Sequence, residues 1–314
     1  MRRRDLMWLA GLAAPGLCLS WPALAATREL RIGVQKYGSL VLLKERGLLE
    51  QRLEPQGWTI TWIEFPGGPQ LLEALNVGAI DFGTTGEAPP IFAQAAGAPL
   101  LYVGYEPPAP EGEAILVAKD SPIADVAGLK GKKVALNKGS NVHYLLVKAL
   151  EAAGVAYTDI ETVYLPPADA RAAFERGSVD AWVIWDPFLA AAQAATGART
   201  LVDGTGLVKN HQFYLASQSF AAEQPAVVQA VIAELGEIDR WASGNTGEVA
   251  TVLAPGMGIP APVLKTALDR IGYGVQPLDE AVAAEQQRIA DTFHGLGLLP
   301  KPITVKDLVW KASA

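Results

Sequence analysis

The 314-residue chain holds one cysteine, Cys18, and three histidines, the side chains that most often attack substrates or bind metals. His143, His211 and His294 are far apart and form no H-E-x-x-H or paired spacing. Charge is also scarce, at 19% of residues, and its balance is acidic, 26 basic against 33 acidic for a formal charge of −7. That balance argues against nucleic acid as a partner. Repeats, low-complexity tracts and long charge blocks are absent. No P-loop and no G-x-S-x-G elbow occurs, and Gly67-Gly68 and Gly295-x-Gly297 make no dinucleotide fingerprint. A Ser–His–Asp set assembled from scattered residues is no evidence of catalysis, so the chain does not read as an enzyme, and no metal or cofactor is expected.

Half of the residues are hydrophobic, enough for one large domain or two medium lobes. Arg2, Arg3 and Arg4 precede a short apolar run from Leu6 to Leu19, and Ala23-Leu24-Ala25 supplies the small residues a signal peptidase reads. The run is too short for a membrane span. Residues 1–25 are expected to be an export signal cleaved after Ala25. Arg3-Arg4 also loosely fits a twin-arginine signal, so the export path stays open. Leu17 before Cys18 does not suit a lipoprotein signal. Removing 25 of the 314 residues leaves 289 and no cysteine; three arginines and one aspartate go too, taking the charge from −7 to −9. Disulfides, thiol nucleophiles and cysteine metal sites are then excluded from the exported product, which is expected to be soluble.

Strands and helices alternate along this remainder. Strands are expected at 30–34, 58–63, 80–83 and 100–105, with helices at 39–51, 67–77 and 89–96 between them. Gly78 suits a helix stop, and Pro89 a first helical turn. The grammar restarts after Glu113, with strands at 133–136, 160–165 and 179–185 and helices at 141–153, 167–176 and 187–195. Strands at 200–202 and 213–217 close the set, and the chain is mostly helical from Pro225 to about Leu296. One phrase occurs twice. Val77-Gly78-Ala79-Ile80-Asp81-Phe82 echoes Arg176-Gly177-Ser178-Val179-Asp180-Ala181-Trp182. The repeated grammar predicts two α/β lobes, 26–117 with 218–314 and 118–217. They join by two crossings, through Ala114–Val117 and Phe213–Ala216, a hinge of the kind that closes on a ligand.

Ligands of open α/β sheets bind beyond the carboxyl ends of the strands. The segments there begin at Gln35, Pro66, Thr84, Asn137 and Trp185. Several open a helix, whose unpaired N–H groups and partial positive charge suit an anion. Gly67, Gly86 and Gly139 let backbone approach a ligand, while Gln35, Thr84, Thr85, Ser140 and Asn141 add neutral polar groups. Trp185 fits an apolar tail. Plainer roles compete. Ser140 suits an N-cap of the 141–153 helix, and Asp186 before Pro187 suits a helix start. Asp186 and Glu87 would repel an anion unless they meet an amine or tune closure. Trp58 and Trp62 fit the core, and Lys36 and Lys138 raise the local potential or are simply solvated.

Long strings then resemble a known family. Ile60-Thr61-Trp62-Ile63-Glu64-Phe65-Pro66-Gly67-Gly68-Pro69-Gln70, Thr85-Gly86-Glu87-Ala88-Pro89-Pro90 and Lys138-Gly139-Ser140 are similar to the aliphatic sulfonate-binding proteins of ABC importers. So are Pro167-Ala168-Asp169-Ala170-Arg171 and Val179 through Pro187, in order and spacing over nearly all of the exported chain. The resemblance implies a type II periplasmic binding-protein fold of two lobes with mixed sheets. It implies a monomeric periplasmic receptor that captures an alkanesulfonate and delivers it to an inner-membrane ABC permease for sulfur acquisition. The ligand-facing segments of the family map onto Gln35, Thr84 to Glu87, Gly139 to Asn141 and Trp185-Asp186. Glu87 stands where Asp is common, and Asn141–Tyr144 is less serine-rich than in some relatives. Taurine, nitrate, bicarbonate or a thiamine-precursor pyrimidine remain alternative ligands, and an enzyme on the same fold is the alternative of another class.

Overall fold

The computed structural model describes residues 28–311, so the expected export segment and its cleavage site lie outside the described residues. The first half-chain runs β1 (Arg28–Val34), α1 (Ser39–Arg46), α2 (Leu48–Leu53), β2 (Trp58–Glu64), α3 (Gly68–Asn76), β3 (Phe82–Gly86), α4 (Pro89–Ala95) and β4 (Leu100–Tyr105). The next part runs β5 (Glu113–Val117), β6 (Lys133–Leu136), α5 (Asn141–Ala152), β7 (Glu161–Tyr164), α6 (Pro167–Glu175), β8 (Ala181–Trp185), α7 (Phe188–Thr196) and β9 (Arg199–Asp203). Then come β10 (Gln212–Ser217), α8 (Gln218–Glu223), α9 (Pro225–Ala242), α10 (Thr246–Met257), α11 (Ala261–Leu268) and α12 (Glu280–Gly295). The expected single helix over 39–51 is split at Gly47, whose φ of 60° ends α1 in the left-handed region.

Two five-stranded mixed sheets result, ordered β2-β1-β3-β10-β4 and β7-β6-β8-β5-β9. In each, the first three strands are parallel, and the fourth runs antiparallel to both of its neighbours. β5 therefore belongs to the second sheet and β10 to the first. The chain passes between sheets at 106–112 and 204–211, just N-terminal to the strands where the sequence reading put the crossings.

The repeated phrase occupies equivalent places in the two lobes. The Asp81 amide donates to the Arg31 carbonyl and the Asp180 amide to the Lys133 carbonyl, each at 2.8 Å. Each carboxylate in turn accepts from the amide of that same first-strand residue, Arg31 at 2.9 Å and Lys133 at 2.8 Å. Both aspartates thus lock the incoming third strand to the first. In lobe 1 the Arg31 guanidinium adds an ion pair of 2.6 Å to Asp81.

Leu30, Ile32, Phe82 and Tyr214 pack against Leu40, Leu43, Val228 and Leu235 in lobe 1. In lobe 2, Leu116, Val134 and Trp182 pack with Leu145 and Leu146 of α5. Each such fully buried aliphatic side chain stabilises by roughly 1.5–3 kcal/mol. Trp58 is buried as expected; Trp62 is only partly so, and its indole donates to Glu50 at 2.7 Å.

Candidate ligand-binding site

The carboxyl ends of the parallel strands face one another across a small cavity. Lobe 1 supplies Gln35 after β1, Gly86 at the end of β3, and Gly68 and Pro89 at the starts of α3 and α4. Lobe 2 supplies Asn141 at the start of α5 and Trp185 at the end of β8. Tyr37, Asn210 and Gln212 complete the wall. Among the described residues, no lysine or arginine lines it.

The lobes meet closely where glycines stand. A Cβ on Gly67 would lie 2.5 Å from the Asn137 amide nitrogen, and one on Gly86 would lie 2.9 Å from the Asn141 Cβ. Any side chain at either position would hold the lobes apart. The three helix starts at the cavity, preceded by Gly67, Ala88 and Ser140, have no side-chain cap. The Ser140 hydroxyl donates instead to the Asn137 carbonyl at 2.7 Å. First-turn amides of a helix lack the usual intrahelical acceptors, so these ends present donors toward the cavity. Pro89 and Pro90 remove two amides at α4, which leaves α3 and α5 as the main donors.

Of the residues the sequence singled out, Gln35, Gly86, Asn141 and Trp185 line the cavity, and Gly67 abuts it beside Asn137 and Trp185. Gln35 is steadied by a 2.9 Å bond from its amide to the Thr84 carbonyl. The others support the wall from behind. Thr84 donates to the Phe213 carbonyl at 3.1 Å and Thr85 to that of Gly86 at 3.0 Å. The Gly139 amide meets His143 Nδ1 at 3.2 Å, and burial pushes that imidazole down to about 4, so it carries no charge at neutral pH. Asp186 is fully buried, accepting from the Ala190 amide and from Arg270, each at 3.0 Å. Lys36 and Lys138 turn outward, to Glu64 at 4.0 Å and over the Tyr164 ring at 5.2 Å.

The family model described as NMT1-like matches residues 25–254. The chain belongs to the NMT1-like family. A curated relative from Escherichia coli strain K12, named for aliphatic sulfonate binding, is 50% identical over 99% of this chain and 97% of its own. The alkanesulfonate-binding protein SsuA of Xanthomonas axonopodis pv. citri, solved bound to MOPS, is 46% identical, with a TM-score of 0.88 over 92% of this chain and 100% of that one. The periplasmic aliphatic sulphonate-binding protein SsuA of Escherichia coli is 50% identical, with a TM-score of 0.82 over 91% and 93%. The two-lobed architecture is thus the periplasmic binding-protein fold that the resemblance implied.

In this NMT1-like chain two acids stand behind the cavity. Glu87 accepts from the His211 amide at 3.2 Å, and burial raises it from 4.5 to about 8 against the pull of the His211 and Asn210 amides. Glu113, at the start of β5, accepts from Asn141 at 2.5 Å, and burial followed by the proximity of Glu87 raises it well above the carboxylate range. At about 8 Glu87 is largely uncharged at neutral pH, which removes the repulsion expected of it toward an anion. Asn141 also donates to Asn210 at 3.1 Å, and so ties lobe 2 to the second crossing.

Sequence reasoning missed Asn210, Gln212, Glu113 and Arg270. Asn210 has a φ of 53°, a left-handed conformation that asparagine tolerates better than most residues, and its amide donates to the Ala109 carbonyl at 2.8 Å. Nothing local marks Arg270, which reaches its partner across 84 residues of sequence.

Proposed function

We propose that this chain is the periplasmic solute receptor of an ABC importer and that it captures aliphatic sulfonates for a membrane permease. Two lobes, 28–105 with 212–311 and 113–203, close on the ligand about the crossings at 106–112 and 204–211. The carrying observation is a cavity walled by neutral polar groups and uncapped helix starts with no fixed cation. Such a wall suits a compact oxyanion with three acceptor oxygens. Each charge-assisted hydrogen bond contributes roughly 1.5–3 kcal/mol, and three or four support an affinity near ~1 μM after the costs of closure. Trp185 offers apolar surface to the tail. The full-length similarity to two sulfonate-binding proteins supports the same reading.

Glu87 keeps its proton up to about 8 and burial shifts Glu113 the same way, which offers the ammonium of taurine little, so plain alkanesulfonates rank above it. A receptor is favoured over an enzyme because the relatives that match at 46–50% identity over nearly the whole chain are named as binding proteins. Export by the N-terminal segment and action as a monomer belong to the same reading. Isothermal titration with ethanesulfonate, taurine, nitrate and sulfate tests it. The expected order places ethanesulfonate first and nitrate last. Tighter binding of nitrate than of any sulfonate, or turnover of a sulfonate by pure protein, contradicts it.

A further inference from the structure

We propose that Arg270 is a closure latch: its guanidinium, anchored on lobe 1, seizes Asp186 of lobe 2 when the cleft shuts and holds the ligand in without touching it. The inference rests on the receptor reading above. Arg270 follows α11, and the segment beyond it is fixed to lobe 1. The amides of Gly274 and Val275 donate to buried Asp239 at 3.2 and 3.0 Å, and Gln276 bonds the backbone of Tyr105 at the end of β4. From that base Arg270 Nη1 reaches Asp186 Oδ2 at 3.0 Å, and Nη2 reaches the Gln193 side chain of α7 at 3.5 Å.

Asp186 is placed to report on the ligand. It directly follows Trp185, which walls the cavity. Its amide donates to Gly112 at 2.8 Å in the first crossing, and its other oxygen accepts from the Ala190 amide, so its position is fixed by β8 and α7 together. A ligand that draws Trp185 toward lobe 1 carries Asp186 to Arg270. The carboxylate is fully buried while the Arg270 side chain is 21% exposed. Without the guanidinium, a charge buried there has one backbone amide left to stabilise it. With the latch open, Asp186 keeps only the Ala190 amide as a side-chain partner. The pair therefore favours the closed form over the open one, and slows release rather than speeding capture.

The test uses the full exported chain, in which cysteine is absent, with nitroxide labels introduced by Val77→Cys in lobe 1 and Ser178→Cys in lobe 2. Arg270→Gln and Arg270→Lys are compared with the unsubstituted chain, with folding checked by thermal unfolding. Stopped-flow tryptophan fluorescence with ethanesulfonate is expected to show release about tenfold faster in Arg270→Gln, with the association rate unchanged and Arg270→Lys in between. Pulsed dipolar spectroscopy is expected to show a longer label–label distance gaining population in Arg270→Gln, with and without ethanesulfonate. An unchanged release rate with an unchanged distance distribution overturns the latch, as does a loss confined to the association rate. If the unsubstituted chain does not bind ethanesulfonate, the receptor reading for sulfonates fails. The ligand-free distance distribution then decides the latch alone: a longer-distance gain in Arg270→Gln upholds it, and none overturns it.

Discussion

The two lobes share one scaffold and put it to different uses at the cleft. Counting from the locked aspartates Asp81 and Asp180, the third strand of each lobe ends five residues later, at Gly86 in lobe 1 and Trp185 in lobe 2. One lobe leaves room, and the other fills it with an indole. The next residue is a buried acid in both, Glu87 and Asp186. Asp186 meets a cation from the opposite lobe; Glu87 meets only backbone amides of the second crossing and stays protonated to about pH 8. After the first strand the correspondence continues. Gln35 matches Asn137, and Lys36 matches Lys138. Gln35 bonds its own lobe, whereas the Asn137 amide nitrogen is buried without a partner beside Gly67. Duplicated backbone therefore supplies two facing sets of strand ends, and a few side chains make one set a floor and the other a lid.

The largest effect that sharpens this contrast is expected from Gly86→Val. Its Cβ would press on Asn141 at 2.9 Å, so closure should fail and affinity for ethanesulfonate should fall, by up to about a hundredfold at the upper end of an overpacking cost of roughly 1–3 kcal/mol. Titration calorimetry checks it, and near-normal affinity would dissolve the distinction between an open floor and a filled lid. Trp185→Ala, the reciprocal change, removes apolar contact worth roughly 1.5–3 kcal/mol. It should weaken long-tailed sulfonates more than ethanesulfonate in the same assay.

The buried glutamates make stability depend on pH. Glu87 keeps its proton in the folded chain up to about 8, while the unfolded chain releases it near 4.5. The native state then binds the extra proton, so stability falls as pH rises through that window, by up to about 1.4 kcal/mol per pH unit for each such group. Glu113 acts in the same direction. Urea unfolding between pH 5 and 8 should show this slope, and Glu87→Gln should flatten it. A slope unchanged by that substitution would remove Glu87 as its source.

A smaller difference separates the scaffold aspartates. Asp81→Asn should cost about 1–2 kcal/mol and Asp180→Asn less, because only Asp81 also holds a guanidinium. Equal losses in thermal midpoint would contradict that ranking. Ser140→Ala is expected to change affinity least, since its hydroxyl is committed to the Asn137 carbonyl.

Much of this was legible in the sequence where the signal is local. Period-two and helical patterns marked the strands and helices, and the repeated glycine–aspartate phrase marked the duplication. What escaped depends on distant partners. Thr84, Thr85 and Gly86 read as a loop after a strand over 80–83. They are strand instead, because β10 pairs with them antiparallel from about 130 residues downstream, Phe213 opposite Thr85 and Tyr214 opposite Thr84. The same pairing places Gln212 beside Gly86 at the cavity. Asp186 read both as a ligand contact and as the cap of a helix opening at Pro187; Pro187 itself takes the capping position of α7, Asp186 stands one residue earlier and still accepts from the Ala190 amide, and its second partner, Arg270, has no sequence signature.

On the receptor reading, an anionic headgroup lies between the floor and the lid, on amide-rich helix starts rather than on a fixed cation. A crystal structure with 2-bromoethanesulfonate, located by bromine anomalous scattering, tests it most directly. The sulfonate oxygens are expected within hydrogen-bond reach of the backbone at Gly68 and Asn141, with the bromine against Trp185. A sulfonate seated instead in the neighbouring groove lined by Lys209, His211 and Arg288, with the cavity between the lobes unfilled, would contradict it.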